Sequence, residues 1–180
     1  MINWPSLENE IADYLADLSE KTLADTAKML AESYYNAVSN GADPMMNAII
    51  PTKSATGIQG AWEQALNSQY NSDDKIGPAN WTGVAGQIVM FYTGGMFQFA
   101  TPHPPNTIPH GPNNVTNPGI PGPISAGIDK AFEQEDPRGT AEVLVDTYKK
   151  HTDQIQGLYM GSISTPGGPV PTPVPWVGIK

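Results

Sequence analysis

The sequence predicts a mainly α chain with a minor β component: a helical N-terminal part, tandem helix-plus-extended-segment units, and long Pro/Gly-rich arms. Three observations predict this. Apolar residues recur at helical spacing through residues 6–39. The 18 prolines are unevenly placed, with Pro5, Pro44, Pro51 and Pro78 before residue 100 and all others after it. Two stretches of the chain also echo one another in order, which is the mark of duplication.

Along the N-terminal part, Ile11, Leu15, Leu18, Thr22, Ala27, Leu30, Tyr34 and Val38 keep near-helical spacing. Glu8, Glu10, Asp13 and Asp17 crowd the first turns, where the helix dipole favours carboxylates. Asn40-Gly41 closes the pattern and Pro44 follows it. The spacing predicts one long helix, or two broken near Ser19–Lys21. A second helix is predicted over Ser54–Tyr70, with Ile58, Ala61, Trp62, Ala65 and Leu66 on one face. Helical pattern returns at Ile124–Glu135, breaks at Asp136-Pro137, and resumes over Ala141–Ile155 with Val143, Leu144, Thr147, Tyr148 and His151 on one face. Residues 101–123 and the C-terminal STPGGPVPTPVPWVGIK read as extended Pro-rich segments without a core of their own.

The internal echo aligns SATGIQGAWEQ (54–64) with ISAGIDKAFEQ (124–134), then QIVMFYTG (87–94) with QIQGLYMG (154–161), then Ala100-Thr101-Pro102 with Ser164-Thr165-Pro166. The chain therefore divides into an N-terminal helical region (1–53), a first repeat unit (54–112), a Pro/Gly/Asn linker (113–123) and a second repeat unit (124–180). Residues 81–100 are uncharged and about as long as a membrane helix. Their glycines, Gln87 and Gln98 weaken that reading, and the echoing HTDQIQGLYMGSISTP is too polar to share it. The expectation is instead an extended segment over 87–99, apolar on both faces, whose pairing partner is the repeat copy or a neighbouring subunit.

Composition narrows function. A net charge of −9 with scattered basic residues argues against nucleic acid and against anionic membrane surfaces. The absence of cysteine removes thiolate chemistry, disulfides and Cys-based metal sites. The N-terminus has neither the basic nor the apolar region of a secretory signal. His103 and His110 sit in a Pro-rich loop too loose for a metal site. His151 reads as a partner for a helix C-terminus, and Glu133, Glu135 and Asp136 as capping and solubility. Asn71-Ser72-Asp73-Asp74 offers weak calcium ligation at most, since a bidentate Glu is missing, and a plain Asx turn explains it. No phosphate-cradling, dinucleotide or zinc-protease motif occurs. No cofactor, metal or catalytic residue is expected.

Trp62 and Phe132 occupy equivalent repeat positions and read as core anchors. Trp176 reads differently, as a bulky anchor on a stiff arm suited to docking into another subunit. The residues expected to contact partners are Phe91, Tyr92, Met96, Phe97, Phe99, Tyr159 and Trp176.

One ordered pattern is shared with a known group. Gly127, Ile128, Ala131 and Phe132, then Asp136-Pro137, Thr140-Ala141, Leu144 and Tyr148, precede a polar Gly/Thr/Ser run and a Pro/Gly-rich end. This resembles small virion structural proteins of tailed bacteriophages, mainly over 124–180 and more weakly over 54–102. The resemblance implies a non-enzymatic head, neck, tail or baseplate component, assembled in the host cytoplasm into the virion. Its partners would be other virion structural proteins and further copies of itself, with neither nucleic acid nor membrane involved. The alternative reading is a secreted or periplasmic binding module with an apolar ligand groove. An enzyme using Glu133, Asp136 and His151 is the third reading.

Overall fold

The computed structural model describes residues 1–73, 75–98 and 107–180. Among these, six helices stand against a five-stranded antiparallel sheet, which corrects the expectation of a mainly helical chain with a minor β component. The helices are α1 (Trp4–Leu15), α2 (Leu23–Val38), α3 (Thr56–Tyr70), α4 (Thr82–Tyr92), α5 (Pro121–Ala131) and α6 (Pro137–Thr152). The strands are β1 (Ile49–Ile50), β2 (Met96–Phe97), β3 (Thr107–Asn117), β4 (Gln156–Thr165) and β5 (Gly168–Val177), in that spatial order.

Local chemistry sets the helix starts. Asn3 accepts from the Ser6 N–H, with Trp4-Pro5 opening α1. Thr22 and Asp25 form a reciprocal capping box at α2. The N-terminal pattern is therefore two helices, broken over residues 16–22. Asp136 accepts from the Gly139 N–H at the start of α6, where Pro137 takes the first helical position. Each helix packs on the next, and α6 returns to α1, so the six close a cycle. Gly127 permits the close crossing of α5 and α6, because a Cβ there would lie 2.2 Å from the Thr147 Oγ1. Inside the cycle, Tyr34 and Tyr148 rings meet at 4.5 Å, while Trp62, Trp81 and Phe132 form a second aromatic group.

The apolar stretch expected to be extended is largely helical. Val84, Ala85, Ile88, Phe91 and Tyr92 are the buried residues of α4, a 3.6-residue pattern hidden within a run apolar on nearly every side. Gly94, at φ +69°, and Gly95 end the helix and turn the chain into β2. The echoing 154–161 instead leave α6 and enter β4. The second blocks of the two predicted units thus adopt different structures. Of the first blocks, Trp62 lies within α3 and Phe132 just after α5, and their rings meet at 5.9 Å. No helix of the described residues is long and apolar enough to cross a membrane.

The Pro-rich C-terminal segment is not a free arm. Thr165-Pro166-Gly167-Gly168 forms the turn of a hairpin, and β5 pairs with β4 along its whole length. Prolines 169, 171, 173 and 175 fall on alternate positions, so all their nitrogens point to one edge. Pairing with β4 uses the N–H groups of the intervening residues, which sends the proline nitrogens to the open edge. Beyond β5, the backbones of Gly178 and Ile179 donate to the Ile155 and Thr152 carbonyls, and Lys180 exchanges a pair of 2.7 Å hydrogen bonds with Ala42.

Candidate functional site

The strands present two faces, with register shifts in β3 between Pro109 and Asn113 and between Val115 and Asn117, and with Ser162 buried on the outer face. Cross-strand register aligns Ile49, Phe97, Asn113, Tyr159 and Val174 on one row. The first four are buried, and Val115 and Trp176 join them on the same face. This inner face closes the core against the helices. The neighbouring row is Ile50, Met96, Asn114, Leu158 and Pro175, on the outer face.

A polar network holds the inner face. Asp43 is fully buried, and its carboxylate accepts from the Met45 and Asn47 backbone N–H groups, from Asn47 Nδ2 at 2.7 Å and from Asn113 Nδ2 at 2.7 Å. Asn113 Oδ1 in turn accepts from Trp176 Nε1 at 2.9 Å. The Trp176 ring lies over Gly157, where an added Cβ would sit 1.9 Å from Cζ2, and edge-on to Phe97 at 5.1 Å. Four donors saturate the Asp43 oxygens, and no solvent reaches them. The network is suited to locking the 42–48 loop, β3 and β5 together, and not to proton transfer.

The residues expected to reach partners are therefore mostly spent within the chain. Phe91 and Tyr92 sit in the helical core, Phe97, Tyr159 and Trp176 on the inner sheet face. The reason is that α4 and β5 find their apolar partners in their own fold. Met96 alone among the described ones stays open, at 42% exposure, and Phe99 lies outside the described residues.

The groups weighed for catalysis are not assembled. Glu133 pairs with Lys75, whose ammonium also lies 3.4 Å from Asp129. Asp136 caps α6. His151 is buried, donating from Nε2 to the Pro118 carbonyl at 2.8 Å, with its Nδ1 left without a partner. Burial holds its pKa below the usual histidine value, against the opposing pull of that carbonyl. Burial also pushes the Tyr34 and Tyr148 hydroxyls well above the ordinary tyrosine range. No group of three potential metal ligands occurs among the described residues. His103, Asp74 and the His110 side chain lie outside them.

The outer face of the sheet is the surface left to act. Ile50, Met96 and Val177 are 39%, 42% and 57% exposed, and the four β5 prolines are exposed beside half-buried Leu158 and Met160. Among the described residues, no Asp, Glu, Lys or Arg lies in a strand. Sequence reasoning missed this face because it read β5 as an arm. The P-x-P-x-P-x-P alternation with Val, Thr, Val and Trp between is a period-two strand signal. No protein-family profile, curated protein or solved structure matches the chain.

Proposed function

We propose that this protein is a non-enzymatic structural component of a tailed-phage particle, in its tail, neck or baseplate, working as a homo-oligomer among other virion proteins. The observation that carries the reading is the charge-free sheet. A chain of net charge −9 keeps every ionised side chain off its five strands while leaving apolar residues open on their outer face. Such separation suits a surface made for protein contact, since apolar patches rimmed by polar structure mark interaction sites. The shared 124–148 pattern supports it in a further way. Ile128, Ala131, Ala141, Leu144 and Tyr148 are buried between or beneath α5 and α6, and Asp136-Pro137 starts α6. The pattern thus encodes a packed helical hairpin rather than a reactive centre.

The test is a mass-spectrometric inventory of particles purified from the host, together with the genomic neighbourhood of the gene. The expected result is the chain at a fixed copy number per particle, encoded among assembly genes. Absence from particles, or a gene remote from any phage-like context, overturns the reading. The alternative, a binding module, has one observation in its favour: a groove between α5 and α6 of about 360 Å³, bordered by Ile120, Ile124, Val143 and Lys150. Binding of small amphipathic molecules to a monomer, lost in Val143→Asp, would favour it instead.

A further inference from the structure

The outer sheet face has three properties that together select one occupant. It is the broad surface on which two copies of an acidic chain meet without bringing carboxylates together, because no strand carries an ionised side chain. Edge pairing is closed to a partner: the proline nitrogens of β5 face one open edge, and β1 at the other is two residues long. A partner must therefore lie on the face and not beside it. The area is sufficient but small. With strands ~4.8 Å apart rising ~3.3 Å per residue, three long and two short strands present roughly 500 Å², so two faces together bury about 1,000 Å², the lower bound of a specific interface.

A partner rich in charge would find nothing here to answer it. A second copy presents the same uncharged, proline-ridged surface, and a two-fold contact of that surface with itself buries no ion. We propose that the outer face of the sheet is the interface between two copies of this chain, packed sheet to sheet about a two-fold axis. The inference rests on the homo-oligomeric reading above and deepens it by naming the surface and the occupant. Leu158 and Met160 lie near the middle of the contact, with Ile50, Met96 and Val177 around them.

Sedimentation velocity on the full chain tests it. The expected result is a concentration-dependent monomer–dimer equilibrium, weak because the face is at the small end of specific interfaces. Met160→Lys puts like charges near one another across the axis, and Met96→Lys brings an unpaired charge into the contact, so each weakens the dimer at least ~10-fold. Tyr70→Lys, on the exposed end of α3, leaves it unchanged. Circular dichroism checks folding; should Met160→Lys unfold, the exposed Met96→Lys decides alone. A wild-type chain that stays monomeric throughout overturns the proposal, as does a dimer that survives Met96→Lys and dissociates with Tyr70→Lys. The two readings fail separately. A chain found in particles yet monomeric overturns the interface alone, and a chain that dimerises by this face yet is absent from particles overturns only the assembly role.

Discussion

Within the helical cycle, Tyr34, Tyr92 and Tyr148 bring three hydroxyls into the core with one long hydrogen bond among them, Tyr34 to Tyr92 at 3.3 Å. At the sheet junction, the single carboxylate of Asp43 accepts four hydrogen bonds, three of them at 2.8 Å or less. Both regions are dry, yet they are held by different forces. The helices are fixed by ring packing, which tolerates imperfect polar pairing when shape is right. The 42–48 loop is tied to β3 by directional bonds to a buried charge, which set their geometry. The contrast teaches where this fold is brittle: at the polar junction more than in the aromatic core.

The largest expected effect comes from breaking the junction. Asp43→Ala removes the acceptor of four hydrogen bonds in a buried site, and should cost about 4 kcal/mol of folding stability. For a domain of this size that lowers the melting temperature by roughly 10 °C. Asp43→Asn keeps the shape and should lose about half as much, because its amide nitrogen now faces donors. Differential scanning calorimetry of both variants checks the order; equal and small losses would show that ring packing, not the network, holds the sheet.

Next in size is Gly157→Ala. The new Cβ would overlap Trp176 at 1.9 Å from Cζ2, and the indole cannot step aside without losing its bond to Asn113. Overpacking of that kind costs about 3 kcal/mol. The matching change among the helices, Gly127→Ala, meets the buried Thr147 at 2.2 Å, but α6 can shift as a body and keep the Thr147–Val143 hydrogen bond, which lies within the helix. The sheet variant should therefore be the worse of the two in denaturant titration.

Much of the helical region was legible in the sequence because most of it carries a local signal: Asp136-Pro137 before α6, and apolar spacing in α2 and α3. α4 was not, since a run apolar on nearly every side has no periodicity to distinguish a buried helix from a covered strand. The sheet was hidden for another reason. β3 pairs with β4 across the intervening residues 118–155, which hold α5 and α6, and its Pro- and Asn-rich composition is depleted in ordinary strand formers. Of the site, Met96 was visible as an apolar residue, but its exposure depends on register across β1 and β2. Asp43 gave no signal at all, because Asp-Pro reads as a turn until Asn113 is brought to it.

A smaller effect should appear with pH. Folding holds His151 neutral, with its pKa below the unfolded value near 6.5. Above that value neither state binds the proton and His151 contributes nothing to the slope. As pH falls below about 6.5 the unfolded chain takes up a proton that the folded chain refuses, so stability drops until the folded pKa is reached, by at most about 1.4 kcal/mol per pH unit. The slope belongs to the helical body and should vanish in His151→Leu, while Asp43 variants retain it. Unfolding midpoints measured between pH 7.5 and 5 decide the matter, a range above the carboxylates Asp17 and Asp25 whose pKa values are lowered by Ser19 and Thr22.

The smallest effect is the most discriminating. Tyr148→Phe removes a buried hydroxyl that has no partner, and should change stability by less than about 0.5 kcal/mol, in either direction. Tyr34→Phe removes the one bond among the three hydroxyls and should cost about 1 kcal/mol, leaving Tyr92 without its neighbour. Both rings keep their stacking, so the pair isolates hydroxyl from ring. If Tyr148→Phe proved as costly as Tyr34→Phe, a hydrogen bond would have to reach the Tyr148 oxygen in solution, and the helical core would be held by the same kind of force as the sheet. If Tyr148→Phe is neutral, the core tolerates an unpaired oxygen because packing alone fixes the ring, and the two regions differ in kind.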